Sequence, residues 1–162
     1  MNVATTAGAT GVPWLDDLEM RAWRSLLCAH AKLLARLDAE LQATQRMSVA
    51  DYGVLVALSE APDNRLRMSE LAEQLNLSPS GLTRRLDGLV AGGLVCRVRC
   101  TKDRRGSYAV LTDDGRARLK EAAPDHVAQV RRHFVSKLSR AQLGALAHAL
   151  QLVAGEDCTQ RS

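Results

Sequence analysis

Apolar residues recur at helical spacing along most of the chain, broken by one short stretch of strict alternation. From Trp14 to about Thr44 the pattern is one long helix. Pro13 is placed to open it, and Leu27, Leu34 and Leu41 lie on one stripe. At 1.5 Å per residue this helix spans about 45 Å, so a part of it is expected to overhang its own core and bury its face against a partner. Ser48 to Glu60 predicts a second helix, with Ser48 and Asp51 at capping-box spacing and Tyr52, Leu55 and Leu58 facing inward. Ala61-Pro62-Asp63-Asn64 reads as a turn. Met68 to Leu75 predicts a short helix with Ser69 near its start. Ser78 then caps a fourth helix, Pro79 is its first residue, and Leu82, Leu86 and Leu89 are its inward stripe. Gly92-Gly93 stops it. Leu94 to Cys100 alternates as a strand does, Thr101 to Ser107 is a charged turn, and Tyr108 to Leu111 returns as a second strand. Thr112 caps a further helix, Asp113 to about Ala123, which Pro124 is expected to kink before the pattern resumes to about Leu138. Ser139 to Val153 closes the chain with Leu143, Leu146 and Leu150 on its stripe. Residues 1–12 and 156–162 are small and polar and read as tails.

Composition agrees with helices. Leu and Ala dominate, Ile is absent and aromatics are 3%, which argues against an all-β sandwich. The fold class expected is mainly α with a small β-hairpin. No run of apolar residues is long enough to cross a membrane. Cys28, Cys96, Cys100 and Cys158 include no pair two residues apart, so no zinc ribbon or thioredoxin-like motif is present. No secretory signal is visible, and reduced thiols in a cytoplasm are the expected setting.

The net charge of +4 matters less than its distribution. Arg65 to Arg118 carries eleven basic and six acidic residues, while the remainder carries eleven and twelve. Such a local excess is the footprint of a polyanion binder, or alternatively a solvated charged face. The order of elements favours the former. A short helix, a tight turn, a capped helix and a charged hairpin make a winged helix-turn-helix. The second helix is of a size to enter the major groove. Its outer face offers Ser80, Thr83, Arg84 and Asp87, with Ser78 at the start. Arg84 is the candidate for bidentate contact to guanine, Arg85 a candidate for phosphate, and Ser69 lies on the preceding helix. Arg97, Arg99, Lys102, Arg104 and Arg105 put five cations within nine positions of the hairpin, with Asp103 as the one acid. An arginine at such a tip can enter a narrow minor groove, and Asp103 is placed to orient one by an ion pair.

These residues resemble the MarR family of bacterial transcription regulators. The resemblance rests on Met68-Ser69-Glu70-Leu71-Ala72, on Ser78-Pro79-Ser80 through Leu86-Asp87, on Gly92-Gly93-Leu94-Val95, and on Asp103-Arg104-Arg105 followed by Leu111-Thr112 and Gly115. It covers about Trp14 to Val153. It implies residues 47–112 as the winged helix-turn-helix, with helices in 13–46 and 113–155 forming a dimerisation lobe. It also implies a homodimer on a pseudo-palindromic operator, Arg84 in the major groove, Arg105 in the minor groove and Asp103 bracing the wing. Repression released by a small aromatic or phenolic ligand, or by oxidation of a cysteine, is the regulation it implies.

Trp23, Leu27 and His30 are the candidate ligand residues on the first helix, although an aromatic in such a stripe is also ordinary packing. Cys28 is the candidate redox residue. A cysteine between Leu27 and Ala29 is equally an inert small hydrophobe. Cys96 and Cys100 sit about 13 Å apart along one strand, too far for a disulfide. His126 and His133 are two turns apart, with no nearby ligand cluster, and read as solvated. No metal or cofactor is expected. Neither a nucleophile elbow, a glycine-rich phosphate loop nor a paired-carboxylate motif occurs, so an enzyme is not expected. The alternatives to a ligand-released repressor are a winged-helix protein-interaction module, a redox-responsive regulator using Cys28, and an architectural DNA binder without effector.

Overall fold

The computed structural model describes residues 11–99 and 106–155. Their order is α1 (Asp17–Gln45), α2 (Val49–Glu60), β1 (Arg65–Arg67), α3 (Met68–Gln74), α4 (Pro79–Ala91), β2 (Val95–Arg99), β3 (Ser107–Leu111), α5 (Asp113–His133) and α6 (Arg140–Ala154). The fold is mainly helical with one three-stranded antiparallel sheet in the order β1-β3-β2. Two compact units divide after Arg36, inside α1.

In the first unit, α1 starts later than Pro13. Asp16 caps it, its carboxylate Oδ1 accepting from the backbone N–H groups of Leu18 and Glu19, both at 2.8 Å. A carboxylate that satisfies two orphan donors outcompetes a proline that merely lacks one. Trp14, Leu15, Leu18, Trp23 and Leu27 are exposed here.

The second unit holds the core. Val54, Leu55 and Leu58 of α2, Leu71 of α3 and Leu82 and Leu86 of α4 are completely buried, and Val95, Ala109 and Leu111 join them from the sheet. The stripes expected on α2 and α4 therefore face this core. On α1 one stripe meets two environments: Leu41 is fully buried, whereas Leu27 and Leu34 are exposed.

Four local corrections follow from the structure. The hydrophobic pattern assigns no element to residues 65–67, which form β1. This strand pairs with β3 as Arg65↔Val110, Leu66↔Ala109 and Arg67↔Tyr108, which turns the expected hairpin into a three-stranded sheet. Pro124 does not divide α5, which runs unbroken to His133 and gives way at Phe134 to a 3-10 turn over Val135–Lys137. A proline removes one ladder bond, and the rest of a 21-residue helix carries on around it. α3 ends at Gln74. The fourth concerns the histidines. His133 Nε2 lies 2.6 Å from Glu40 Oε1. His126 stacks on Tyr52 with ring centroids 4.5 Å apart. Neither is a solvated surface group. Burial lowers the His126 pKa and, with help from Glu60, raises that of Tyr52.

Two glycines are demanded by geometry. Gly93 has φ +72, the left-handed turn that ends α4. Gly115 packs its Cα so closely on the Leu94 carbonyl that a Cβ there would overlap the oxygen.

Candidate nucleic-acid interface

α3 and α4 are joined by a turn in which Asn76 takes φ +52, a left-handed position that asparagine tolerates well. The Leu77 N–H closes it by donating to Ala72 O at 2.8 Å. Ser78 then starts α4 as the sequence implies, its Oγ accepting from Gly81 N at 3.1 Å. Ser78 Oγ also lies 3.3 Å from Ser80 Oγ. The exposed Thr83 donates its hydroxyl hydrogen back to Pro79 O at 2.9 Å, which leaves the oxygen as an acceptor. With Leu82, Leu86 and Leu89 buried beneath, α4 presents Ser80, Thr83, Arg84 and Asp87 to solvent. Arg84 makes no ion pair among the described residues. An unengaged guanidinium on the exposed face of a buried-backed helix is free to fork onto a base or a phosphate.

The neighbouring arginines differ from it. Arg85 points to α2, its Nη1 3.1 Å from Asp51 Oδ1 and 3.5 Å from Ser48 Oγ. Its guanidinium ties α4 to the start of α2, so this side chain is engaged inside the fold rather than extended towards phosphate. Its buried Nε has no partner. Arg97 on β2 braces the wing against α4. Its Nη2 donates to Thr83 O at 3.0 Å and pairs with Asp87 Oδ1 at 2.9 Å. Arg99 and Ser69 are exposed. The sheet adds a feature the sequence reading missed. Arg65 and Arg67 both hold their guanidinium carbons 5.5 Å from the Tyr108 ring centre, a double cation–π arrangement across β1 and β3. The Arg-x-Arg spacing immediately before α3 was the available signal. Lys102, Asp103, Arg104 and Arg105, the expected wing tip, lie outside the described residues, as does Cys100.

Trp23, Leu27, Cys28 and His30 are all exposed on α1. Cys28 is a free thiol open to solvent and not the buried hydrophobe that its neighbours suggested. Among the described residues no group of three or more His, Cys, Asp or Glu side chains is placed to hold a metal ion, and no helix is long and apolar enough to cross a membrane.

Comparison with known proteins places this geometry. The MarR family profile matches residues 47–106, the segment from the start of α2 into the wing. The transcriptional repressor MdtR of Bacillus subtilis is 30% identical over 108 residues, 67% of this chain and 69% of its own. The repressor YetL of the same species is 36% identical over 84 residues, 52% of this chain and 50% of its own, so the chain spans about half the length of that curated relative. Among solved structures, AbsC, a MarR family transcriptional regulator from Streptomyces coelicolor, superposes with a TM-score of 0.81 at 40% identity, covering 88% of this chain and 96% of AbsC. A second Streptomyces coelicolor MarR family regulator, solved in complex with DNA, gives 0.83 at 38% identity over 88% of this chain and 89% of its own. These relatives are transcriptional regulators, not enzymes.

Proposed function

The chain belongs to the MarR family, and on that premise we propose that it is a dimeric transcriptional repressor that binds a pseudo-palindromic operator in the cytoplasm. The observation that carries this reading is α4. It is capped at Ser78, backed by buried leucines, braced through Arg97 and Asp87, and carries on its open face Arg84, which has no ion pair among the described residues. In this reading residues 47–112 read the DNA. Arg84 contacts a base edge, Ser78, Ser80, Thr83, Ser69 and Arg99 contact sugar and phosphate, and Lys102, Arg104 and Arg105 reach the minor groove with Asp103 holding one of them.

Helices in 13–46 and 113–155 form the dimerisation lobe. Two observations support it: no residue of α6 is buried within the chain, and α1 exposes Leu18, Leu26 and Leu34. Apolar faces of that extent are covered in a stable protein, and a second copy covers both at once. The effector is a small aromatic ligand at Trp23, Leu27 and His30, which follow helical spacing on one face of α1. The exposed Cys28 thiol beside them supports oxidation as a second route of release.

The test is titration of the purified protein into a labelled duplex from its own upstream region and into a scrambled duplex. Specific affinity about 10³-fold or more above the scrambled duplex, at one dimer per site, supports the reading. Equal, weak, salt-labile binding to both removes it.

A further inference from the structure

We infer that the corner between α1 and α2 is a second anchor on the DNA backbone, with Arg46 as its phosphate-binding residue. The inference rests on the DNA-binding reading above and extends it beyond the helix-turn-helix and wing.

A recess of about 440 Å³ opens beside α4, bordered by Arg46, Met47, Arg84, Gly88, Leu94 and Arg118. Arg85 and Asp51 also line it, so four guanidiniums face one carboxylate. Two of the four are answered. Arg85 pairs with Asp51 at 3.1 Å, and Arg118 with Glu121 at 3.1 Å. Arg46 and Arg84 have no ion pair among the described residues. Two uncompensated guanidiniums around one recess make it attractive to an oxyanion, and Arg46 is the one left to donate to it when Arg84 is on a base.

The corner is also held in place. Arg46 takes φ +48, a left-handed conformation that costs free energy in any residue with a Cβ. Its neighbour Gln45 is bound to α5 at both ends of its side chain. Gln45 Nε2 donates to Asp125 Oδ2 at 2.6 Å and Oε1 accepts from Arg118 Nη1 at 2.7 Å. Arg118 Nη2 donates to the Gln45 carbonyl as well. On the other side, Val49 N donates to Asp38 Oδ1 at 2.9 Å. A turn of this kind is made most cheaply by glycine or asparagine. An arginine there is explained by its charge. The occupant is a backbone phosphate because Arg84, which also lines the recess, lies on the outward face of the helix that enters the groove in the reading above. A duplex seated on α4 brings phosphates along that edge.

The experiment measures affinity for a labelled random-sequence duplex of about 30 base pairs, long enough for two half-sites, across a sodium chloride series. The proteins are wild type, Arg46→Gln and Arg46→Lys. Arg46→Gln is expected to bind more weakly at low salt, with a slope of log affinity against log salt shallower by about 0.9 per chain, and Arg46→Lys to restore the slope. Melting temperatures of both variants close to wild type exclude a folding effect. An unchanged slope in Arg46→Gln, with wild type binding normally, overturns the corner and leaves the DNA reading intact. Absence of wild-type binding overturns that reading and the corner with it. A second arm replaces chloride by inorganic phosphate at equal ionic strength. If phosphate competes with DNA in wild type but not in Arg46→Gln, while their chloride slopes agree, the recess serves a free anion and the inference fails.

Discussion

Gly115→Ala adds a single methyl group at the point where α5 leaves the wing. The new Cβ would overlap the Leu94 carbonyl oxygen and stand 2.8 Å from Leu111 Cδ1 and 3.0 Å from the Leu94 carbonyl carbon. The leucine side chain can yield by a few tenths of an ångström. The carbonyl cannot, because it accepts from Thr112 N at 3.2 Å, and Thr112 Oγ1 donates to the adjacent Gly93 O at 2.7 Å. The first turn of α5 must therefore lift from β2. Overpacking of this kind costs about 1–3 kcal/mol, and one weakened backbone hydrogen bond about 1 kcal/mol more. The better helix propensity of alanine returns about 1 kcal/mol. The net cost is about 1–3 kcal/mol, a fall in Tm of roughly 2–12 °C for a chain of this size. Gly88→Ala is the control, since a Cβ there meets nothing within 4 Å, and it should hold or raise stability. Thermal melts followed by circular dichroism compare the three proteins. A Gly115→Ala melting temperature at or above wild type would refute the close approach.

Three further outcomes are expected. Arg84→Ala should lower discrimination between operator and scrambled duplex by about 1–3 kcal/mol per half-site, and an unchanged affinity ratio would remove it as a base contact. Arg105→Ala should flatten the salt slope of DNA binding by about one unit per lost contact, and equal slopes would remove the wing assignment. His126 is held neutral by burial, with its pKa below the ordinary value of 6.5. The unfolded chain therefore binds the extra proton first as pH falls, and stability drops below about pH 6.5 until the folded-state pKa is reached. His126→Phe, which keeps a ring against Tyr52, should lose less Tm than wild type between pH 7.5 and 5.5; parallel losses would assign the acid sensitivity elsewhere.

How far the sequence could be read depended on the range of the forces involved. The Ser78 cap and the inward positions 82, 86 and 89 are local events, set by hydroxyl chemistry and helical period, and they are visible within one turn or two. Arg85 is different. Its direction depends on Asp51, 34 residues earlier, and adjacent positions on α4 end up with opposite fates: Arg84 has no ion pair among the described residues, and Arg85 is committed to α2. β1 has three residues, too few for alternation to show, and exists because β3 offers it an edge. Leu27 and Leu41 share a stripe but not an environment, since periodicity fixes which face a residue lies on and not what stands opposite. His126 was misread for the same reason, because Tyr52 is distant in sequence.

Leu94 is where three moving parts would have to come apart. Its N–H donates to Leu89 O at the end of α4, its carbonyl takes the Thr112 N–H at the head of α5, and the strand it begins is β2. α4, β2 and α5 are thus geared through one residue. α5 is about 30 Å long, so shifting its far end by 1 Å rotates it by about 2° about that junction. Such a lever has no slack at the pivot, because Gly115 leaves no space there. A push anywhere along α5 is therefore felt by α4 and β2 together, as rotation about one junction.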